Sequence, residues 1–284
     1  LNCVVGMVLM IISDHIIIAE IGRLFVGFGS AFAFVGVLKL GTVWLPQEKF
    51  AILAGSTMSL GMIGALTSNL LITQVIAYEG WRLSIYHATL FGAALTGLIF
   101  LFVRDVPKGD CVKEVQLSTH EVIIRFKALI SHVDIWKVGL IGCLIWLPLA
   151  VFAETWGIKY LQDIYHFSPS QASFSNSMVF LGWATGGPCV GVISNYLSQR
   201  RLPIIIGTLV SSACISAVLY GPIQSSLLIT LLLFGFGLFS SVQVLVFPIG
   251  REISGKASSG TAIALVNMFV MLSGVIAPIS GVVL

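Results

Sequence analysis

Three ionisable side chains stand inside long apolar runs of this sequence: Arg23, Lys39 and Glu154. An ionised group at a helix centre in hydrocarbon costs about 2.5–3.5 kcal/mol on insertion scales, so each needs a reason to be there. The chemistry that suits such groups is reversible: a fixed cation can hold a carboxylate, and a carboxyl group can load and release a proton. Glu154 lies beyond Pro148 and before Gly157. A mid-span proline frees a carbonyl and permits a bend, and broken membrane helices are common seats of binding groups. Glu154 is therefore the first candidate for proton exchange, in competition with an outer-interface ion pair to Lys159. Lys39 either faces a cavity as a cation for a carboxylate or snorkels past Trp44 to the headgroups. Arg23 is three residues from Glu20, so an ion pair on one helix face competes with a substrate contact. Asn69, Asn176, Gln243 and Asn267, with Gln74, Trp146 and Trp156, are uncharged groups that either bond between helices or line a cavity.

Other chemistry is not written in this chain. No nucleophile triad, no phosphate-binding glycine loop opening a helix from a strand and no cluster of metal ligands appears in the sequence. Its five cysteines, Cys3, Cys111, Cys143, Cys189 and Cys214, have neither paired nor metal-ligand spacing. The sequence predicts no enzyme, no metal, no cofactor and no nucleic-acid partner.

The elements that must position these residues are membrane helices. The 284-residue chain is 57% hydrophobic and 10% charged, with a mean hydropathy of +1.02. A soluble chain carries about 25% charged residues, so no water-facing surface can be built here. Apolar runs of roughly twenty residues, enough to cross about 30 Å of hydrocarbon as helix, recur along it. The chain reads as an all-α polytopic membrane protein with nine spans near 1–13 (incomplete), 17–45, 51–77, 82–103, 137–161, 171–195, 203–220, 225–249 and 258–284. Links such as Ser13-Asp14-His15, Ser168-Pro169-Ser170 and Tyr220-Gly221-Pro222 separate them.

Between Arg104 and Lys137 lies a hydrophilic island with eleven of the chain's charged residues. If alternate links share a side, one side collects Lys49, the basic residues of the island, Arg200, Arg201, Arg251 and Lys256. Only Arg23, Arg82 and Lys159 lie near the links of the other. The excess of Lys and Arg places the island in the cytoplasm. Its Arg125 and Lys127, with Val122, Ile123 and Phe126, suit a short amphipathic helix along the membrane surface.

The halves on either side of the island look alike. Phe25-Val26-Gly27-Phe28-Gly29 has a counterpart in Leu233-Phe234-Gly235-Phe236-Gly237, Glu48-Lys49 in Arg251-Glu252, and Gly55-Ser56-Thr57 in Gly260-Thr261-Ala262. Repeats related by an axis along the membrane normal are a known plan of secondary transporters. The offset of about 206 residues leaves two spans without partners at the front and one at the back, so about nine of twelve helices are expected here. The expected parts are a partial first half (1–103), a central loop (104–136) and a partial second half (137–284).

Four stretches carry a resemblance to the major facilitator superfamily of secondary transporters. Arg23 to Ala31 is similar to the Arg-x-x-x-Gly-x-Gly pattern of that family's fourth helix, and Gly80-Trp81-Arg82 to the entry of its sixth. Gly187 to Asn195 followed by Arg200-Arg201 looks like the second copy of its cytoplasmic loop motif, Gly-x-x-x-Asp-Arg-x-Gly-Arg-Arg. Arg251-Glu252 with Ser259 to Ala262 is similar to the link into its eleventh helix. The chain departs from the loop motif with Asn195 for Asp, Tyr196 for the base and Ser198 for Gly. Gly61 to Ala65 lacks the Gly-Pro pair usual in drug-proton antiporters.

The resemblance implies a two-half helical bundle that works by alternating access, with Gly187, Gly191, Asn195, Arg200 and Arg201 as gating candidates. Together with Glu154 and Lys39 it predicts a monomeric transporter in the plasma (inner) membrane. The expected cargo is a small polar or anionic solute, taken up with a proton. Efflux antiport, a non-transporting receptor or scaffold, and an inactive remnant are the alternatives.

Overall fold

The computed structural model describes residues 1–67, 75, 78–103 and 119–279. Among them every regular element is helical. Eight helical stretches are long and apolar enough to cross a membrane, and the shorter apolar α1 (Asn2–Ile12) precedes them. Eight of the nine expected spans thus have a membrane-length helix, and α1 occupies the first. The chain packs as two compact units, Leu1–Trp44 with Thr67–Glu114, and Leu45–Leu66 with Val115–Leu284.

The first unit is built on α1, α2 (Ile16–Trp44) and α4 (Trp81–Phe102). Gly6 and Gly22 let α1 and α2 meet backbone to backbone, since a methyl group on either would strike the carbonyl of the other. Such contact replaces the hydrophobic drive that is absent in lipid. At one end, Arg82 donates to Asp14 Oδ1 at 2.6 Å and to the Ser13 carbonyl at 3.2 Å, fastening the α1–α2 link to α4.

The second unit holds α3 (Phe50–Thr67), α5 (Thr119–Ile130), α6 (Val133–Val151), α7 (Gly157–Tyr165), α8 (Pro169–Tyr196), α9 (Arg201–Tyr220), α10 (Ser226–Ser240), α11 (Val246–Met271) and α12 (Ser273–Ile279). A π-helical turn, Phe152–Trp156, joins α6 to α7, and a 3₁₀ turn, Ser241–Leu245, joins α10 to α11. α8 is the axis of this unit. It opens with a capping box in which Ser168 Oγ accepts from the Gln171 N–H and Gln171 Oε1 accepts from the Ser168 N–H, with Pro169 at the first helical position. Gly182 and Gly186 then bring it against the backbone of α10 at Phe234 and Leu238. Ser175 and Thr230 share a 2.8 Å hydrogen bond in the same seam.

Two boundaries differ from the sequence reading. α6 begins at Val133 rather than near 137, because Asp134 and Lys137 pair one turn apart at 2.9 Å and stay exposed in its first turn. The break between the last two spans is a single residue: Gly255, at φ +69°, interrupts helical geometry within α11. The amphipathic helix expected in the island is α5, which turns Leu129 into a small core with Ile135, Ala262 and Leu265.

Candidate functional site

The helix holding Glu154 is disturbed twice within ten residues. Pro148 has no N–H to give, so the α6 ladder loses a bond there. Four residues on, the backbone widens into the π turn Phe152–Trp156, in which the Gly157 N–H reaches back five residues to the Phe152 carbonyl. Turns of this kind concentrate at functional sites. Side chains repair the widened ladder: Thr155 Oγ1 donates to the Ala150 carbonyl at 2.8 Å, and Asn176 Nδ2 donates from α8 to the Ala153 carbonyl at 2.9 Å. A Cβ at Gly157 would collide with Asn176 Oδ1, so glycine is what lets α8 reach the bulge. Beyond it, the Tyr160 and Tyr165 hydroxyls donate to the carbonyls of Leu219 and Val218 at 2.9 and 2.5 Å. These bonds hold α7 to the end of α9.

Glu154 therefore sits on a bulge braced from a second helix. Its side chain is exposed and has no ion-pair partner among the described residues. Lys159, its expected competitor, pairs with Asp163 at 3.1 Å instead. Asn176, 1% exposed, is an expected polar residue that the structure brings to the π turn holding Glu154, through the carbonyl of the preceding Ala153. Its Oδ1 has no partner among the described residues, nor do the fully buried Trp183 Nε1 and both amide atoms of Gln243. Trp183 stacks edge-on against Trp146 at 5.8 Å. Gln243 lies in the 3₁₀ turn, which packs against α6, α8, α9 and α11. These three residues put polar groups into an interior that is otherwise mostly apolar.

Other candidates lie elsewhere. Asn267 is half-buried on α11. Lys39 and Arg23 are exposed on α2 in the first unit, and Arg23 makes no ion pair with Glu20 among the described residues. Asn69 and Gln74 fall outside the described residues.

The loop motif forms a second constellation, around a cleft of about 340 Å³ lined by Glu48, Ser194, Asn195, Ser198, Arg200 and Glu252. The chain turns sharply after α8, with Ser198 at φ +51°, and Ser194 Oγ donates to the Gln199 carbonyl at 3.0 Å. Arg200 is the hub. Its Nη1 donates to Ser194 Oγ and Asn195 Oδ1, both at 2.9 Å, and its Nη2 pairs with Glu252 Oε1 at 3.2 Å. Asn195 Nδ2 in turn donates to the Glu48 carbonyl just ahead of α3. An aspartate could accept from Arg200 but could not donate to Glu48; the amide does both.

Nearby, the guanidinium of Arg251, 6% exposed, lies 4.5 Å over the Phe50 ring. Sequence reasoning missed this contact, since nothing local links residues two hundred positions apart. Gly187 and Gly191 are buried packing positions facing the Gly55 and Ala51 carbonyls of α3, each 2.9 Å from where a Cβ would stand. Arg201 is exposed and makes no ion pair among the described residues.

A family model described as Major Facilitator Superfamily matches residues 2–278. The protein named "Putative transporter AraJ" of Escherichia coli (strain K12) is 25% identical over 270 residues, a match covering 93% of this chain and 66% of that relative. The chain thus spans just under two thirds of that relative's length.

Proposed function

The chain belongs to the major facilitator superfamily, and from that premise we propose that it is a secondary transporter of a small polar or anionic solute, working by alternating access with proton-coupled uptake. The halves 1–103 and 137–284 rock about a midplane site, joined by a cytoplasmic loop, in the plasma (inner) membrane. The observation that carries the coupling is Glu154: a carboxyl group without an ionic partner, on a π turn braced by Asn176. Protonation there removes a charge, and release restores it. A helix already opened at Pro148 and Phe152–Trp156 can rearrange around that change more readily than a continuous one, since two of its carbonyls, those of Ala150 and Ala153, are bonded by side chains. The network of Asn195, Arg200 and Glu252 closes the loop side of the second half in this state, and its parting accompanies opening.

Proteoliposomes holding the full-length protein test this directly. An imposed inward proton gradient should drive accumulation of a labelled amino acid or organic acid. The Glu154→Gln variant should lose gradient-driven accumulation by tenfold or more, yet keep solute exchange at equal pH. Accumulation undiminished in Glu154→Gln would remove the carboxyl from the coupling step, and expulsion of solute by the gradient would make the protein an efflux antiporter.

A further inference from the structure

An apolar groove of about 400 Å³ runs between α8, α9 and α10, on the outside of the second unit. Cys189 and Ile193 of α8, Leu197 just after it, Leu202 and Ile206 of α9, and Val242 of the 3₁₀ turn form its walls; no lining residue carries a charge, and the Cys189 thiol is the one weakly polar side chain. Four of these, Ile193, Leu197, Leu202 and Ile206, are between 39% and 49% exposed. The groove's α8 wall runs from Gly186 to Leu197, about 16 Å at 1.5 Å per residue. That is about the hydrocarbon depth of a single leaflet, half of roughly 30 Å. Its shallow end is set by Leu197 and Leu202, on either side of the α8–α9 turn, so the groove enters from the membrane surface and ends near the midplane.

One basic side chain at that entrance has no ion-pair partner among the described residues. Tyr196 to Pro203 contains two arginines and no acidic residue. Arg200 is spent on Glu252, Ser194 and Asn195. Arg201, next to the groove residue Leu202, is exposed and has no ion pair among the described residues. Tyr196 beside it is 88% exposed, in keeping with the aromatic residues that sit at headgroup level. We propose that this groove is a binding site for one acyl chain of an anionic phospholipid, whose phosphate is held by Arg201. The site is separate from the proposed solute route and stands or falls independently of it.

Native mass spectrometry of the full-length protein in detergent, titrated with phosphatidylglycerol or phosphatidylcholine, tests the assignment. One phosphatidylglycerol per chain should be retained about fivefold more tightly than phosphatidylcholine, the factor expected for one basic residue at a lipid surface. Arg201→Gln should abolish that preference, while Lys159→Gln, the same loss of charge at a site away from the groove, should leave it intact. Ile206→Trp, which fills the groove from an exposed position, should reduce retention of both lipids. Equal retention of the two lipids by the unmodified protein, an undiminished preference in Arg201→Gln, or unchanged retention in Ile206→Trp would each overturn the proposal.

Discussion

Arg200 illustrates how much one residue can be asked to do. It makes an ion pair with Glu252 across partly exposed surfaces, 20% and 37% for the two side chains, and exposed pairs contribute at most about 1 kcal/mol. It also donates to Ser194 Oγ and Asn195 Oδ1, and hydrogen bonds from charged donors contribute about 1.5–3 kcal/mol each. The two partners of the pair should therefore be unequal. Glu252→Gln removes the ion pair alone and should lower stability by no more than about 1 kcal/mol. Arg200→Gln also disconnects the α8–α9 turn by removing two such hydrogen bonds, and should cost at least about four times as much. Thermal unfolding of the purified protein distinguishes the cases, and equal shifts for the two variants would show that the bonds to Ser194 and Asn195 contribute nothing. Asn195 belongs to the same argument. The sequence marks it as a departure from an acidic motif position, and the structure gives the reason an amide serves: one side chain accepts from Arg200 and donates to Glu48.

Helices in this fold are specified unevenly by their sequence. The start of α8 is legible residue by residue, since Ser168, Pro169 and Gln171 are capping signals that act within one turn. The seam of Gly182 and Gly186 is legible as spacing, but its partner is not, because α10 meets it through carbonyls any sequence would supply. The π turn shows the limit. Pro148 announces a weakened helix, yet the bulge lies at Phe152–Trp156 and depends on Asn176, from another helix, bonding to Ala153. No local pattern contains that pairing, and none foretells the 3₁₀ turn at Ser241–Leu245 that encloses Gln243. Two variants test the brace and the seam. Asn176→Ala strands the Ala153 carbonyl and should cost about 1–3 kcal/mol, with loss of gradient-driven uptake if the bulge is what presents Glu154. Gly182→Leu should prevent recovery of folded protein altogether, since even its Cβ would strike the Phe234 carbonyl. Gly61→Leu, with nothing within 4 Å of its Cβ, should be tolerated. Comparable yields of folded, monodisperse Gly182→Leu and Gly61→Leu would contradict the close approach of α8 and α10.

For the whole molecule, the unequal distribution of basic residues is the feature that no single helix carries. If alternate links share a side, eleven of fifteen Lys and Arg residues lie together, and eight of the nine expected spans hold a membrane-length helix among the described residues. A missed or extra crossing would scramble the alternation. In the second unit α8 separates two accessible links: Asp163, on α7 ahead of it, and Gln199, in the turn after it, are both exposed. Since α8 is 28 residues long, about 42 Å at 1.5 Å per residue, these positions belong on opposite sides of a hydrocarbon layer about 30 Å thick. The orientation we propose from the excess of Lys and Arg has the Gln199 side in the cytoplasm. With the native cysteines removed, Gln199→Cys should react with a membrane-impermeant maleimide only after cells are opened, and Asp163→Cys should react in intact cells. The reverse pattern would invert the protein and put the Arg200 network on the outer face; labelling of both from one side would mean that α8 does not cross the membrane.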